Sequence, residues 1–142
     1  MHKYWIAVAC REHVKKGFAG GFAQVCHGKQ GPLTRMKAGD WLVYYSSVDV
    51  FGTKEPLRKF TAIGTVDARE PYTFAMSKDF VPWRRNVTFL PCHEAAIEPL
   101  IDTLSFIHNK QHWGFPFRSG CLQVSKSDFM LIAQHMGVDI HD

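Results

Sequence analysis

No apolar run in the 142 residues approaches the roughly 20 needed for a helix to cross a bilayer, which excludes a membrane-spanning helix. Cysteine is sparse: Cys10, Cys26, Cys92 and Cys121 lie far apart and make no C-x-x-C pair. With no apolar signal at the N-terminus either, free thiols in a reducing compartment are expected, and hence a cytosolic protein, rather than a disulfide framework. Repeats, low-complexity runs and linkers are also missing. With 46% hydrophobic residues the chain is expected to form one domain over 1–142 with a core that needs neither metal nor disulfide.

Familiar catalytic signatures are absent too. There is no G-x-S-x-G nucleophile elbow, and Gly28-Lys29 lacks the glycine spacing and the Ser/Thr of a phosphate-binding loop. Eight histidines invite a metal, yet Cys26-His27 and Cys92-His93 are adjacent pairs whose members point to opposite faces of a strand. His108 and His112 have an i, i+4 interval, but Asn109 and Gly114 argue against a helix there. No metal and no cofactor are expected. Cys26 beside His27 is the best candidate nucleophile and base, and would need the fold to bring the two into contact.

Charge is present but uneven. Before Asp40 stand seven basic residues (Lys3, Arg11, Lys15, Lys16, Lys29, Arg35, Lys37) and one acid, Glu12, for +6; the remainder sums to −2. A polyanion would be met by the first third of the chain, with moderate, salt-sensitive affinity. A solvated basic face is the plainer reading of the same residues.

Short strands dominate the pattern. Strands are expected at Tyr4–Ala9, Trp41–Ser46, Lys59–Val66, Tyr72–Met76, Arg84–Phe89 and Cys121–Val124. On the third of these, Phe60, Ala62, Gly64 and Val66 should share a face by period two. Arg11–Lys16 reads as one or two helical turns stopped by Gly17, and Phe18–Lys29 as a glycine-rich loop. A short helix should run from Pro32 to Lys37. Ile97, Leu100, Ile101, Leu104 and His108 fall at helical spacing and predict a helix over Ile97–Ile107. Ser125 with Asp128 resembles a capping box opening a last helix through Met136, ended by Gly137. Together these predict an α/β (α+β) domain: a mixed, mostly antiparallel barrel with short helices at its edges.

Aromatic residues recur beside hydrogen-bonding ones: Trp5, Phe22, Tyr44, Tyr45, Trp83 and Trp113 with Gln24, His27, Ser46, Arg84, Arg85, Asn109 and Arg118. A base lifted from its strand needs such a mixture, a flat apolar surface and a few donors and acceptors. Core packing of the same aromatics is the alternative. Strand alternation allows only one of Tyr44 and Tyr45, and one of Arg84 and Arg85, to face a given pocket.

The order of motifs resembles a known family. Tyr4-Trp5-Ile6, Arg11-Glu12-His13-Val14, Gly20-Gly21-Phe22, Gln24-x-Cys26-His27-Gly28-Lys29, Pro32-Leu33-x-Arg35-Met36, Gly39-Asp40-Trp41 and Tyr44-Tyr45-Ser46 look like the N-terminal half of bacterial EVE-domain proteins. Phe60-Thr-Ala-Ile-Gly64, Arg84-Arg85, Leu104-Ser-Phe-Ile107, Trp113-Gly114, Phe117-Arg118-x-Gly120 and Asp128-Phe129 continue that order. Cys10 departs from it where a helix-capping serine is usual, as does Val48 where a proline is usual. The resemblance implies a PUA-like, strongly curved β-barrel, related to the YTH domains that read methylated adenine in RNA. It also implies a non-catalytic module for a modified nucleobase in DNA or RNA, single-stranded or flipped out. The pocket would be lined by Trp5 and by Gln24, His27, Gly28 and Lys29, with Tyr44, Tyr45 and Ser46 as wall and Arg84, Trp113 and Arg118 at the rim. An enzyme acting on a nucleotide-like substrate through Cys26 and His27, or a module binding a small molecule or a protein, are the alternatives.

Overall fold

The computed structural model describes residues 1–140. Its strands are β1 (Tyr4–Val8), β2 (Phe22–Ala23), β3 (Trp41–Ser46), β4 (Lys59–Val66), β5 (Tyr72–Thr73), β6 (Trp83–Phe89), β7 (Ala95–Ala96) and β8 (Cys121–Val124). The α-helices are α1 (Arg11–Gly20), α2 (Gly31–Arg35) and α3 (Lys126–His135). All eight strands join one sheet in the order β2-β6-β4-β3-β1-β8, with β5 on β6 and β7 on β4. Among the described residues only β1 and β3 pair in parallel; every other pairing is antiparallel. The fold is thus mixed and mostly antiparallel, as expected. It is not a closed barrel, because the pairing path ends at β2 and β8 and no ladder joins them among the described residues.

The central strands are buried on both faces, and alternation divides their side chains between two cores. Tyr4 and Ile6 of β1 and Val43 and Tyr45 of β3 pack with Phe129 and Ile132 of α3. Trp5 and Ala7, with Leu42 and Tyr44, pack with Val14 of α1 and with Leu33 and Met36. In β4 the alternation breaks. Phe60 lies in the first core, whereas Ala62 and Val66 lie in the second. The register slips between Tyr44 and Tyr45, which pair with Ala62 and Phe60, and a bulge of this kind turns the side chains on one side of it over.

Two helices differ from expectation for identifiable reasons. Helix α1 passes through Gly17 and ends at Gly21, whose φ of 72° is left-handed. At Gly17 a β-carbon would come within 2.6 Å of the Phe22 carbonyl oxygen, so glycine here lets β2 cross close to the helix rather than ending it. Cys10 supplies no side-chain cap. Instead, the amides of Arg11 and Glu12 donate to the carbonyls of Val48 and Asp49 at 3.1 and 2.9 Å, tying the β3–β4 loop to the start of α1.

The helix over Ile97–Ile107 does not form. Ile97, Leu100, Leu104 and Ile107 are buried, as their spacing implied, but on a chain of tight turns with one short 3₁₀ helix, Glu98–Leu100. Groups that a helix would pair internally are taken from outside. The Asp128 carboxylate accepts from the Ser105 amide and hydroxyl, and the Lys110 ammonium donates to the carbonyls of Ile101, Leu104 and Ile107. Asp128 therefore does not complete the capping box, although its amide does donate to the Ser125 hydroxyl.

Replacing a mid-helix glycine by alanine ordinarily stabilises by about 1 kcal/mol. Gly17→Ala is expected to do the opposite, destabilising by about 2 kcal/mol net because the Phe22 backbone cannot give way. A lowered urea midpoint checks this; a raised one would show that β2 does not depend on that approach.

Candidate functional site

The segments adjoining the two ends of the sheet meet each other. Beyond β2 the chain passes Gln24 into a tight turn at Cys26–Gly28; ahead of β8 it forms a 3₁₀ helix, Phe115–Ser119. The Cys26 thiol donates to the Ser119 carbonyl at 3.5 Å. A cleft of about 560 Å³ opens here, within the ordinary range for small-molecule sites. One side is Gln24 and Cys26–Lys29; another is Phe117–Gly120. The β1–α1 junction adds Val8, Ala9, Cys10 and His13, and two loops add Phe51 and Phe80.

The turn is held in an unusual backbone. Cys26, His27 and Gly28 have φ of 49°, 59° and 84°, and left-handed conformation costs non-glycine residues of order 1 kcal/mol each. Amides of Gly28 and Lys29 donate to the Val25 carbonyl at 2.9 and 3.2 Å, which fixes it. Gly28 packs against Pro82 so closely that no β-carbon fits. The β5–β6 hairpin carrying Phe80 is thereby seated against the turn, while His27 and Lys29 stay exposed.

Gln24 anchors the base of the turn. Its backbone exchanges hydrogen bonds with the Tyr44 hydroxyl, and its side-chain oxygen accepts from Arg84 Nε at 3.1 Å. The Arg84 guanidinium lies 3.8 Å from the centre of the Phe22 ring and 3.9 Å from that of Phe74. Burial pushes the Tyr44 hydroxyl pKa well up, so it remains a neutral donor and acceptor. His13 Nε2 bonds the Gln24 carbonyl at 3.1 Å. A carbonyl only accepts, so Nε2 carries the proton and Nδ1 is an acceptor in the neutral ring. Burial holds the His13 pKa below 6.5; the bond to Gln24 opposes this, and Lys16 and Arg84 reinforce it.

The expected site residues are thus only partly brought together. Gln24, His27, Gly28, Lys29 and Arg118 line the cleft. Tyr45 and Trp113 line a second cavity beside it, which Arg118 shares. Trp5, Tyr44, Ser46 and Arg84 line neither. Trp5 is 5% exposed and its indole N–H donates to buried Asp40 at 3.0 Å, so its ring is core rather than a stacking surface. Ser46 is wholly buried and bonded to the Thr61 hydroxyl. Arg85 turns away from Arg84 to the carbonyls of Leu33, Met36 and Asp67. His13, Phe51 and Phe80 were not expected in a site. Phe51 beside Gly52, in a stretch without strand or helix pattern, was the one sequence signal available; His13 stood only in the helical Arg11–Lys16 stretch and the Arg11-Glu12-His13-Val14 motif.

Comparison with known proteins decides the family. The EVE domain family matches residues 3–135. The chain belongs to the EVE-domain family. The UPF0310 protein YdcG of Bacillus subtilis is 47% identical over 137 residues, covering 96% of this chain and 94% of its own. The UPF0310 protein msl3206 of Mesorhizobium japonicum is 47% identical over 139 residues, covering 96% and 93%. Among solved structures, Rpa0253 of Rhodopseudomonas palustris aligns over 98% of this chain and 96% of its own, with a TM-score of 0.57 at 14% identity. Atu2648 of Agrobacterium tumefaciens aligns over 96% and 94%, with a TM-score of 0.58 at 13% identity. At such identity the likeness is one of fold alone. Among the described residues of this EVE domain no three His, Cys, Asp or Glu side chains are grouped to hold a metal, and no helix is long and apolar enough to cross a membrane.

The lowered His13 pKa predicts a pH effect on stability. Between pH 6.5 and the folded-state value the unfolded chain binds a proton that the folded chain does not. The His13 contribution is therefore full above pH 6.5 and lost as pH falls through that window. Denaturant midpoints measured on either side of pH 6.5 should fall on the acid side, and less so in His13→Gln. A His13 ring that titrates by NMR at or above 6.5 would contradict this.

Proposed function

We propose that this EVE domain is a non-catalytic reader of nucleic acid that takes a modified base, from a single strand or flipped out of a duplex, into the cleft between the two sheet ends. The observation that carries the reading is the lining of that cleft, where solvent-exposed aromatic rings stand among hydrogen-bonding groups and cations. Phe51 is 81% exposed and Phe80 is 40% exposed, so each ring has an apolar face that the protein itself leaves uncovered. Stacking on such a face is worth roughly 1–3 kcal/mol per base. His13 offers an acceptor, and exposed Lys29 and Arg118 are in no ion pair among the described residues, as suits phosphate contact. The relation of EVE to base-reading YTH domains supports the same class of ligand.

Two observations favour binding over covalent catalysis. Burial raises the Cys26 pKa, against a smaller opposing pull from Lys29 and Arg35, and a thiol kept protonated is a poor nucleophile. Its hydrogen bond goes to a carbonyl, and the His13 imidazole in the same cleft is committed to the Gln24 carbonyl. No base is bonded to the sulfur among the described residues.

The test is a fluorescence-anisotropy screen at fixed salt, using nine-nucleotide single-stranded DNAs and RNAs. Each carries a central N6-methyladenine, 5-methylcytosine or 5-hydroxymethylcytosine, or no modification. One modification should bind about tenfold more tightly than its unmodified counterpart, a discrimination of about 1.4 kcal/mol. Phe51→Ala should weaken that complex about fivefold or more while changing stability by less than about 0.5 kcal/mol. Equal binding of every oligonucleotide, unaffected by Phe51→Ala and abolished alike by salt, would reduce the interaction to phosphate contact and sink base recognition.

A further inference from the structure

A second cavity, of about 370 Å³, adjoins the first. Val8, Phe117 and Arg118 line both, so the two are separated by a single wall. Arg118 also borders a third hollow with His112, Gly114 and Phe115. Its guanidinium is exposed, 5.6 Å from the centre of the Phe115 ring, and pairs with no carboxylate among the described residues. One unneutralised cation is thus common to three adjoining concavities.

The second cavity has a stacking surface of its own. Trp113 is half-buried, with its ring edge-on to Tyr45 at 6.5 Å and 86°. The Arg58 guanidinium lies 5.7 Å from the centre of the Trp113 ring. Arg58 has a φ of 56°, which a non-glycine residue adopts only when its surroundings impose it. They do: its amide donates to the Ser47 carbonyl at 3.3 Å, and its own carbonyl accepts from Ile97 at 3.1 Å. Arg58 approaches Glu98 only to 3.9 Å, with both side chains about half exposed, an arrangement of little strength in water. An indole and a guanidinium held together, beside a second guanidinium on the shared wall, match a nucleotide's two recognisable parts, a flat base and an anionic phosphate.

We infer that the second cavity receives the nucleotide next to the one whose base enters the first cleft, with Arg118 on the phosphate linking them. The inference rests on the base-reading function proposed above and narrows it: the ligand is a strand of at least two nucleotides, not a free nucleoside. Two bases lodged on either side of the Phe117–Arg118 wall place their connecting phosphate at that wall, where the unpaired cation stands. Neighbouring bases of an intact, stacked duplex cannot part around it. The partner is therefore single-stranded or locally opened.

The anisotropy panel described above tests this when the residue on one side of the central base, and then on the other, is made abasic. For the wild-type protein one of the two replacements should weaken binding about tenfold, which also fixes strand direction; the other should do little. In Trp113→Ala the same replacement should cost almost nothing, since the partner of the missing base is already gone. Arg58→Gln, at an exposed position, should shrink the penalty in the same direction and serves if the Trp113 variant does not fold. If the modified base is still discriminated but neither abasic replacement matters, or the penalty is undiminished in both variants, the second subsite is overturned while base reading stands. If no oligonucleotide is distinguished from any other, both readings fall together.

Discussion

A sheet buried on both faces but left open along one seam is the constraint from which the rest of this molecule follows. Its two cores draw on alternate residues of the same strands, Tyr4 and Ile6 to one side and Trp5 and Ala7 to the other. Over most of their length the central strands leave no room for a ligand; only near their ends do Val8 and Tyr45 border the cavities. What remains is the seam, where β2 and β8 leave their edges unpaired and the segments next to them carry polar groups that water or a ligand must satisfy. Cleft, strained turn and uncommitted cations all lie along that line.

Buried charge keeps the seam in shape. Asp40, 1% exposed, accepts from the amides of Lys3 and Lys37 and from the Trp5 indole, joining the start of β1 to the turn before β3. Arg84 and Arg85, adjacent on β6, point to opposite sides and hold different things. Arg84 grips Gln24 from between two phenyl rings, and Arg85 grips the carbonyls at the end of α2 and after β4. Truncating either would leave buried partners unpaired, the costly kind of loss. These residues work as fasteners; the groups that remain exposed, Phe51, Lys29, His27 and Arg118, are those a ligand can reach.

Much of the fold was legible because strand signals are local. Trp41–Ser46, Lys59–Val66 and Cys121–Val124 lie at the bounds that their aromatic and β-branched residues mark, although the period-two face expected on Lys59–Val66 breaks at the bulge. The helix expected over Ile97–Ile107 failed because its apolar spacing reported burial and not backbone form. Asp128 and Lys110, one distant and one beyond the segment, capture its polar groups. The site was half legible. Motif order led to Gln24, Cys26–Lys29 and Arg118, which line the cleft. Trp5 misled because an aromatic residue next to polar neighbours looks alike in a pocket and in a core. What settles it is Asp40, 35 positions away, holding the indole. Phe51 and Phe80 come from loops whose approach depends on α1 capping by the Val48 and Asp49 carbonyls and on Gly28 against Pro82, contacts no local pattern encodes.

On the proposed function, nucleic acid binds along the open seam of the sheet. Backbone amide shifts of the ¹⁵N-labelled protein, followed during titration with the tightest-binding modified oligonucleotide, test it most directly. The account predicts that the shifted amides group at Gln24–Lys29, at Phe51 and at Phe117–Gly120, leaving α3 still. Shifts gathered on α3 or spread evenly over the basic residues before Asp40 would contradict it.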